Sequence, residues 1–217
     1  MAQHKKALIK PKASSPEKSH VPYILLVEDE PTHVAIMNHT IRSVNPNAVL
    51  KVAGSLEEYR SVIVKSLPEI VLIEMQLPDG KAFEILTSPL EAGLFPIVVM
   101  TSYGDEKNAV KAMKAGALDY VVKTTEVFKA MPHTIERALR EWKMIQDRKR
   151  AEEELRESEF RFRSLYENIP VGLYRTTPAG KILLANRALV KMLGYSSFDE
   201  LAERNLLKSW FRTIVST

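Results

Sequence analysis

Ile70-Val71-Leu72-Ile73-Glu74-Met75-Gln76-Leu77-Pro78-Asp79-Gly80 is the stretch that decides the fold. It opens with four apolar residues, Ile70 to Ile73, and no polar residue interrupts them. A short run rich in β-branched residues suits a strand buried on both faces of a parallel sheet. The run stops on a carboxylate, Glu74, and Pro78-Asp79-Gly80 then signals a turn. Functional groups in open parallel sheets gather where strands deliver their carboxyl ends. Taken alone, Glu74 is no more than a charge marking the end of a strand. The rest of the chain changes its meaning.

Working outward, the same pattern recurs on both sides. Residues 23–27 read as a first buried strand, ending on Glu28-Asp29-Glu30, and Pro31 suits a first helical turn. Val34, Met37, Ile41 and Val44 follow at helical spacing, until Asn45-Pro46-Asn47 breaks the helix. Residues 48–53 read as strand two, and Leu56, Tyr59 and Ile63 mark the next helix. After the strand at 70–73, Phe83, Leu86 and Leu90 predict a third helix, with Pro89 near its end. Residues 97–100 form strand four, closing on Thr101-Ser102. Ala109, Val110 and Met113 predict a fourth helix, which Gly116 is placed to stop. Residues 120–122 form strand five, ending on Lys123.

Apolar strands alternating with helices in repeats of about 25 residues fit βαβ units. The expected fold is therefore α/β: a doubly wound, five-stranded parallel sheet with right-handed crossovers. Its strand ends bring Glu28, Asp29, Glu74, Thr101 and Lys123 to one edge. Three acids, a hydroxyl and an amine converging there by chance is an improbable accident.

Composition narrows the function. The chain has 217 residues, 45% of them hydrophobic, enough for one core and part of a second. Its net charge is +4, but residues 1–20 hold five lysines against one glutamate, so the excess belongs to the tail. With Pro11, Ser14, Ser15 and Pro16 beside those lysines, the tail is expected to be disordered. No folded element presents a phosphate-binding face, so nucleic acid is not expected as a partner. No window is apolar and long enough to serve as a signal peptide or a membrane span. Cysteine is absent, which excludes disulfides and fits a cytoplasmic protein.

The residues from 23 to about 139 resemble the receiver domain of two-component response regulators. Glu28-Asp29 matches the acidic pair that holds Mg²⁺ in that family. LIEMQLPDG matches the segment around and after the phosphoacceptor, Thr101 the switch hydroxyl and Tyr120 the switch aromatic. Lys123, three residues after Tyr120, matches the family's lysine. The resemblance implies a histidine kinase or a downstream signalling protein as partner.

One position departs from the family. The phosphoacceptor is aspartate there, and here it is Glu74. An extra methylene moves the attacking oxygen by about 1 Å, and misplacement of that size costs on the order of 100-fold in rate. Glu74 is therefore expected not to be phosphorylated. Its longer arm places one negative charge where a phosphoryl group would place nearly two. Two arrangements follow. Either Glu74 reaches toward Thr101 and Tyr120 turns inward, or Lys123 holds Glu74 back and Tyr120 stays outward. Mg²⁺ binding through Glu28 and Asp29 is expected to be weak without a phosphoryl group.

Beyond the sheet, Pro132 is placed to begin a helix, and His133 reads as a helix-start residue rather than a phosphoacceptor. None of the glycines falls into GxGxxG or a P-loop. Ile135, Ala138, Trp142 and Ile145 keep heptad spacing. Ala151, Leu155, Ser158, Phe162 and Leu165 keep it again, one residue out of phase. Residues 135–165 are thus expected to form a signalling helix that pairs two chains as a coiled coil.

The last part resembles the first half of a PAS sensory domain. Tyr166-Glu167-Asn168-Ile169-Pro170-Val171-Gly172 leads to Thr177-Pro178-Ala179-Gly180, a hairpin turn between apolar strands. Asn186-Arg187-Ala188 begins a helix that Gly194-Tyr195 ends. Residues 210–215 depart from the pattern, and the strands forming the far wall of a PAS pocket are missing, so no haem or flavin is expected. The organisation expected is a basic tail (1–20), a receiver (21–134), a signalling helix (135–165) and a partial PAS domain (166–217). The expected role is a cytoplasmic phosphorelay protein that is not an enzyme. The alternative is the sensory part of a larger hybrid histidine kinase or nucleotide cyclase.

Overall fold

The computed structural model describes residues 22–102, 104 and 106–203. The basic tail and residues 210–215 lie outside them. The chain divides into two compact units, Met1–Asp147 and Arg148–Thr217.

In the first unit the five expected strands form: β1 (Tyr23–Val27), β2 (Val49–Ala53), β3 (Ile70–Glu74), then β6 (Ile97–Thr101) and β7 (Asp119–Val122). All pair in parallel, in the order β2-β1-β3-β6-β7. Between β3 and β6 lies a small antiparallel hairpin, β4 (Gln76–Leu77) with β5 (Gly80–Lys81). Every residue of β3 and β6 is buried, as a central parallel strand requires.

Each face of the sheet has its own core. On one, α1 (Pro31–Val44) supplies Met37 and Ile41, and α4 (Thr125–Asn168) supplies Phe128, Met131, Ile135 and Ala138. On the other, α2 (Leu56–Lys65) supplies Leu56, Tyr59 and Val62, and α3 (Glu106–Ala115) supplies Ala112. Burying one such aliphatic side chain is worth about 1.5–3 kcal/mol, so these faces dominate the unit's stability.

The helix expected around Phe83, Leu86 and Leu90 is not formed. Residues 82–92 contain two three-residue 3₁₀ turns instead, Ala82–Glu84 and Leu90–Ala92. Pro89 disfavours helical geometry at Ser88 and cannot donate a backbone bond, so it limits the run from within. Phe83, Ile85 and Leu86 still pack against the core, so burial is met without a helix.

The last helix also differs from expectation. It starts at Thr125, well before Pro132, and the Val127 N–H donates to the Thr124 hydroxyl oxygen at 3.2 Å. Pro132 is interior and buried. The apolar contacts around it on the sheet offset the backbone bond it removes. His133 is therefore a mid-helix residue, with its side chain 81% exposed beside Glu136. The heptad positions also divide. Ile135 and Ala138 are buried in the first unit's core, and Trp142 and Ile145 pack against it. Leu155, Phe162 and Leu165 are exposed.

In the second unit β8 (Tyr174–Thr176) pairs antiparallel with β9 (Ile182–Ala185). Their connection turns at Gly180, whose φ of +81° suits glycine. With α5 (Arg187–Met192) and α6 (Phe198–Ala202) they enclose a small core of Ile182, Ala185, Val190 and Leu201.

Candidate functional site

The parallel register brings the strand ends together as expected. The ladder continues past the strands: Met75 N–H donates to the Met100 carbonyl and Lys123 N–H to the Thr101 carbonyl, each at 2.7 Å. Glu28 N–H donates to the Ala53 carbonyl at 2.9 Å. These bonds fix the side chains at one edge, where Glu28, Asp29, Glu74, Thr101 and Lys123 line one cleft.

Lys123 is the centre of the site. Its side chain is 3% exposed, and its ammonium donates to Glu28 Oε2 at 2.6 Å. It also meets Glu74 Oε2, an ion-pair contact without the alignment of a hydrogen bond. One buried cation thus serves two buried carboxylates. Glu74 Oε1 turns back and accepts from the Gln76 N–H at 3.3 Å.

His33, which sequence reasoning missed, completes the cluster. Its Nδ1 lies 3.1 Å from Lys123 Nζ, 3.1 Å from Glu30 Oε2 and 3.4 Å from Glu28 Oε1. With a lone pair on Nδ1 the ring accepts from the ammonium; with a proton there it donates to a carboxylate. The ring also packs against Phe128, centroids 5.3 Å apart. The available signal was position: three residues after Glu30, at the start of α1, it lies one turn along the helix on the side of the acidic strand end.

The Mg²⁺ assignment divides between the two acids. Glu28 is 2% exposed, and both oxygens are engaged, Oε2 by Lys123 and Oε1 by the Glu30 N–H at 3.3 Å. Asp29 is exposed at the cleft. Among the described residues, no group of three or more His, Asp or Glu side chains is arranged to hold a metal ion. The donor set does not fit a preformed cage, and Glu28 is committed to a cation of the protein's own.

Thr101 is 8% exposed at the end of β6. The Tyr120 ring packs against the core on the α2 and α3 side, and its hydroxyl is buried with no hydrogen-bond partner among the described residues. The two arrangements expected from sequence were alternatives. Lys123 contacts Glu74, as the second arrangement has it, and the Tyr120 hydroxyl is buried.

Asp79, in the turn after the acceptor position, is a further site residue. Its Oδ1 accepts from Leu56 N–H at 2.8 Å and its Oδ2 from Glu57 N–H at 2.9 Å, joining this loop to the start of α2. The bond from Leu56 foremost, with that from Glu57, holds the carboxyl below the usual aspartate range despite some desolvation.

A family model for the response regulator receiver domain matches residues 24–133, about half of the chain. This chain belongs to the response regulator receiver family. A PAS domain model matches residues 161–215 after the receiver. Residues 210–215, expected to leave the PAS pattern, fall inside that match, which also begins earlier than residue 166. The receiver is 32% identical over 130 residues to the methanogenesis regulatory protein FilR1 of Methanothrix harundinacea, covering 58% of this chain and 29% of that protein. It is 32% identical over 120 residues to the transcriptional regulatory protein ZraR of Salmonella typhimurium, covering 54% and 26%. The chain thus spans less than a third of the length of these relatives. Among solved structures, a signal receiver domain from Vibrio parahaemolyticus matches with a TM-score of 0.50 at 18% identity, covering 58% of this chain and 95% of that one. That likeness shows the fold. As a receiver, the chain is a component of two-component signalling. No helix among the described residues is long and apolar enough to cross a membrane.

Proposed function

We propose that this receiver transmits a two-component signal without a phosphoryl switch at Glu74. The observation that carries the reading is Lys123, buried between Glu28 and Glu74. A nucleophile must be free to approach phosphorus in line. Glu74 is engaged by an ammonium and carries one methylene more than aspartate. Separating it would leave an uncompensated charge in a buried place, which is strongly unfavourable. The buried Tyr120 hydroxyl supports a resting state part-way toward the active arrangement, in which Glu74 imitates some of the phosphoryl charge.

On this reading the chain is no enzyme. It acts in the cytoplasm through a histidine kinase or a downstream signalling protein, and its switch residues are Thr101, Tyr120 and Lys123. Nucleic acid and membrane are not partners. Mg²⁺ binds weakly, with Asp29 as the accessible acid, and residues 166–217 bind neither haem nor flavin. A homodimer forms through the exposed part of α4, where Leu155, Phe162 and Leu165 lie open to solvent.

The test is incubation with acetyl phosphate and Mg²⁺, followed by intact-mass measurement, on the native chain and on Glu74→Asp. The native chain is expected to gain no adduct and the aspartate variant a labile one. A stoichiometric phosphoryl adduct on native Glu74 would return the protein to the ordinary switch class.

A further inference from the structure

The crossover between β3 and β6 lacks an α-helix, and its 3₁₀ turns leave a cleft on the α2 and α3 side of the sheet. The cleft encloses about 300 Å³ and opens away from the acidic edge, beside Ile97 at the start of β6. Its wall is mainly apolar, with Ile63, Ile85, Leu94 and Phe95. Leu94 is 75% exposed, so apolar surface continues to the rim. A pocket of this size that is apolar with a few placed polar groups is the usual form of a small-molecule site.

Its polar side chains are Tyr59, Arg60 and the exposed Thr87. Tyr59 is 4% exposed, and no hydrogen bond to its hydroxyl is present among the described residues. Burial pushes this hydroxyl up to about 12, with the Arg60 charge opposing, so it remains a donor at neutral pH. Its hydroxyl is not among the buried unpaired atoms, so it opens on the cleft as a donor available to a ligand. Arg60 is the second group. Its guanidinium lies 3.5 Å from Glu84 Oε2, and both side chains are about half exposed, so this pair is weak. The opposite wall is fixed by Gly116, where a Cβ would lie 1.9 Å from the Thr87 carbonyl oxygen. Thr87 and the end of α3 therefore lie in close backbone contact along this wall.

We propose that this cleft binds a small apolar carboxylate, with the hydrocarbon body between Ile63 and Phe95 and the carboxylate accepting from Tyr59 and facing Arg60. The anion is selected because both groups are donors and one is a cation. Glu84 is the ligand's competitor for Arg60. The site lies apart from the acidic cleft and does not depend on whether Glu74 is phosphorylated.

The test uses the full chain, labelled with nitrogen-15, titrated with phenylacetate and with its neutral analogue 2-phenylethanol. Phenylacetate is expected to give saturable amide shifts at Ile63, Leu94 and Gly116, and the alcohol to bind about tenfold more weakly, as one lost charge-assisted hydrogen bond implies. Tyr59→Phe should weaken phenylacetate binding several-fold at unchanged amide dispersion. Glu84→Gln should tighten it by releasing Arg60, and this arm decides the matter if Tyr59→Phe fails to fold. Absence of saturable shifts at these amides overturns the proposal. So does equal affinity for acid and alcohol, or binding unaltered by Glu84→Gln.

Discussion

The Lys123 ammonium lies 2.6 Å from Glu28 Oε2, inside a cluster where the lysine side chain is 3% exposed and the glutamate 1%. Exposed ion pairs such as Arg148 with Glu152 contribute about 0–1 kcal/mol. Removing one partner of a buried pair instead costs about 3–5 kcal/mol, because the other charge is left uncompensated. Lys123→Met should therefore destabilise the receiver by about 3–5 kcal/mol in urea unfolding. Adding Glu74→Gln should recover part of the loss. Equal stability of Lys123→Met and the native chain would mean that the cluster is not the electrostatic centre described.

Asn186 organises the second unit in the same way without charge. It is fully buried, and its Nδ2 donates to the carbonyls of Tyr166 and Val171, each at 2.9 Å. Its Oδ1 accepts from Leu173 N–H at 2.9 Å and Leu189 N–H at 3.0 Å. Asn186→Ala removes the side-chain partner of four part-buried backbone groups, and each one that water does not reach costs about 1–3 kcal/mol. The expected outcome is early loss of amide protection in β8 and β9 by hydrogen exchange, with the receiver unaffected.

Gly116 has φ of +107°, and a Cβ there would meet the Thr87 carbonyl oxygen. Gly116→Ala should destabilise the first unit by about 2 kcal/mol or more, combining a strained backbone with a steric clash. Thermal unfolding measures it; an unchanged midpoint would remove the claimed contact.

Asp79 gives a pH dependence with a definite sign. Its folded-state carboxyl titrates below its unfolded value. The stability it contributes is present above the unfolded value and is lost as pH falls through the folded one. Native chain and Asp79→Asn should differ in stability at neutral pH and converge in the acid range. A difference that persists in strong acid would show that charge is not the cause.

The exposed half of α4 predicts a concentration-dependent dimer. Leu155→Glu with Phe162→Glu places charges on the seam and should leave a monomer in sedimentation at tens of micromolar (about the range where a modest coiled coil associates). A native chain that is already monomeric there removes the dimer.

The sheet was legible because its strands are short apolar runs ending on charged or turn residues. Ile70 to Ile73 can be buried on both faces only as a central strand, and the carboxyl-end residues follow from that placement. The missed elements share one cause: tertiary packing overruled the local pattern. Phe83 and Leu86 have helical spacing, but burial could be satisfied through 3₁₀ turns once Pro89 shortened the run. Pro132 reads as a start locally, yet the apolar face formed by Phe128, Met131 and Ile135 carries the helix through it. Ile135 and Ala138 have coiled-coil spacing, but their partner is their own sheet. His33 was missed as a site residue because its meaning lies in contacts across the chain, which spacing does not record; Asn186 was legible as a helix start, but not its bonds to Tyr166, Val171 and Leu173.

The helix-free crossover also determines how the receiver comes apart. An α-helix would secure those residues with a ladder of backbone bonds, whereas two three-residue turns provide few. Local opening follows the lowest density of such bonds. Residues 85–94 are thus the first part of the sheet domain to fray, and proteases should cut there before any strand is lost. Nicking would uncover the start of β6, a central strand with every residue buried. The price of a cleft in this position is a weak seam in the wall around it, and an occupant of that cleft would close the seam.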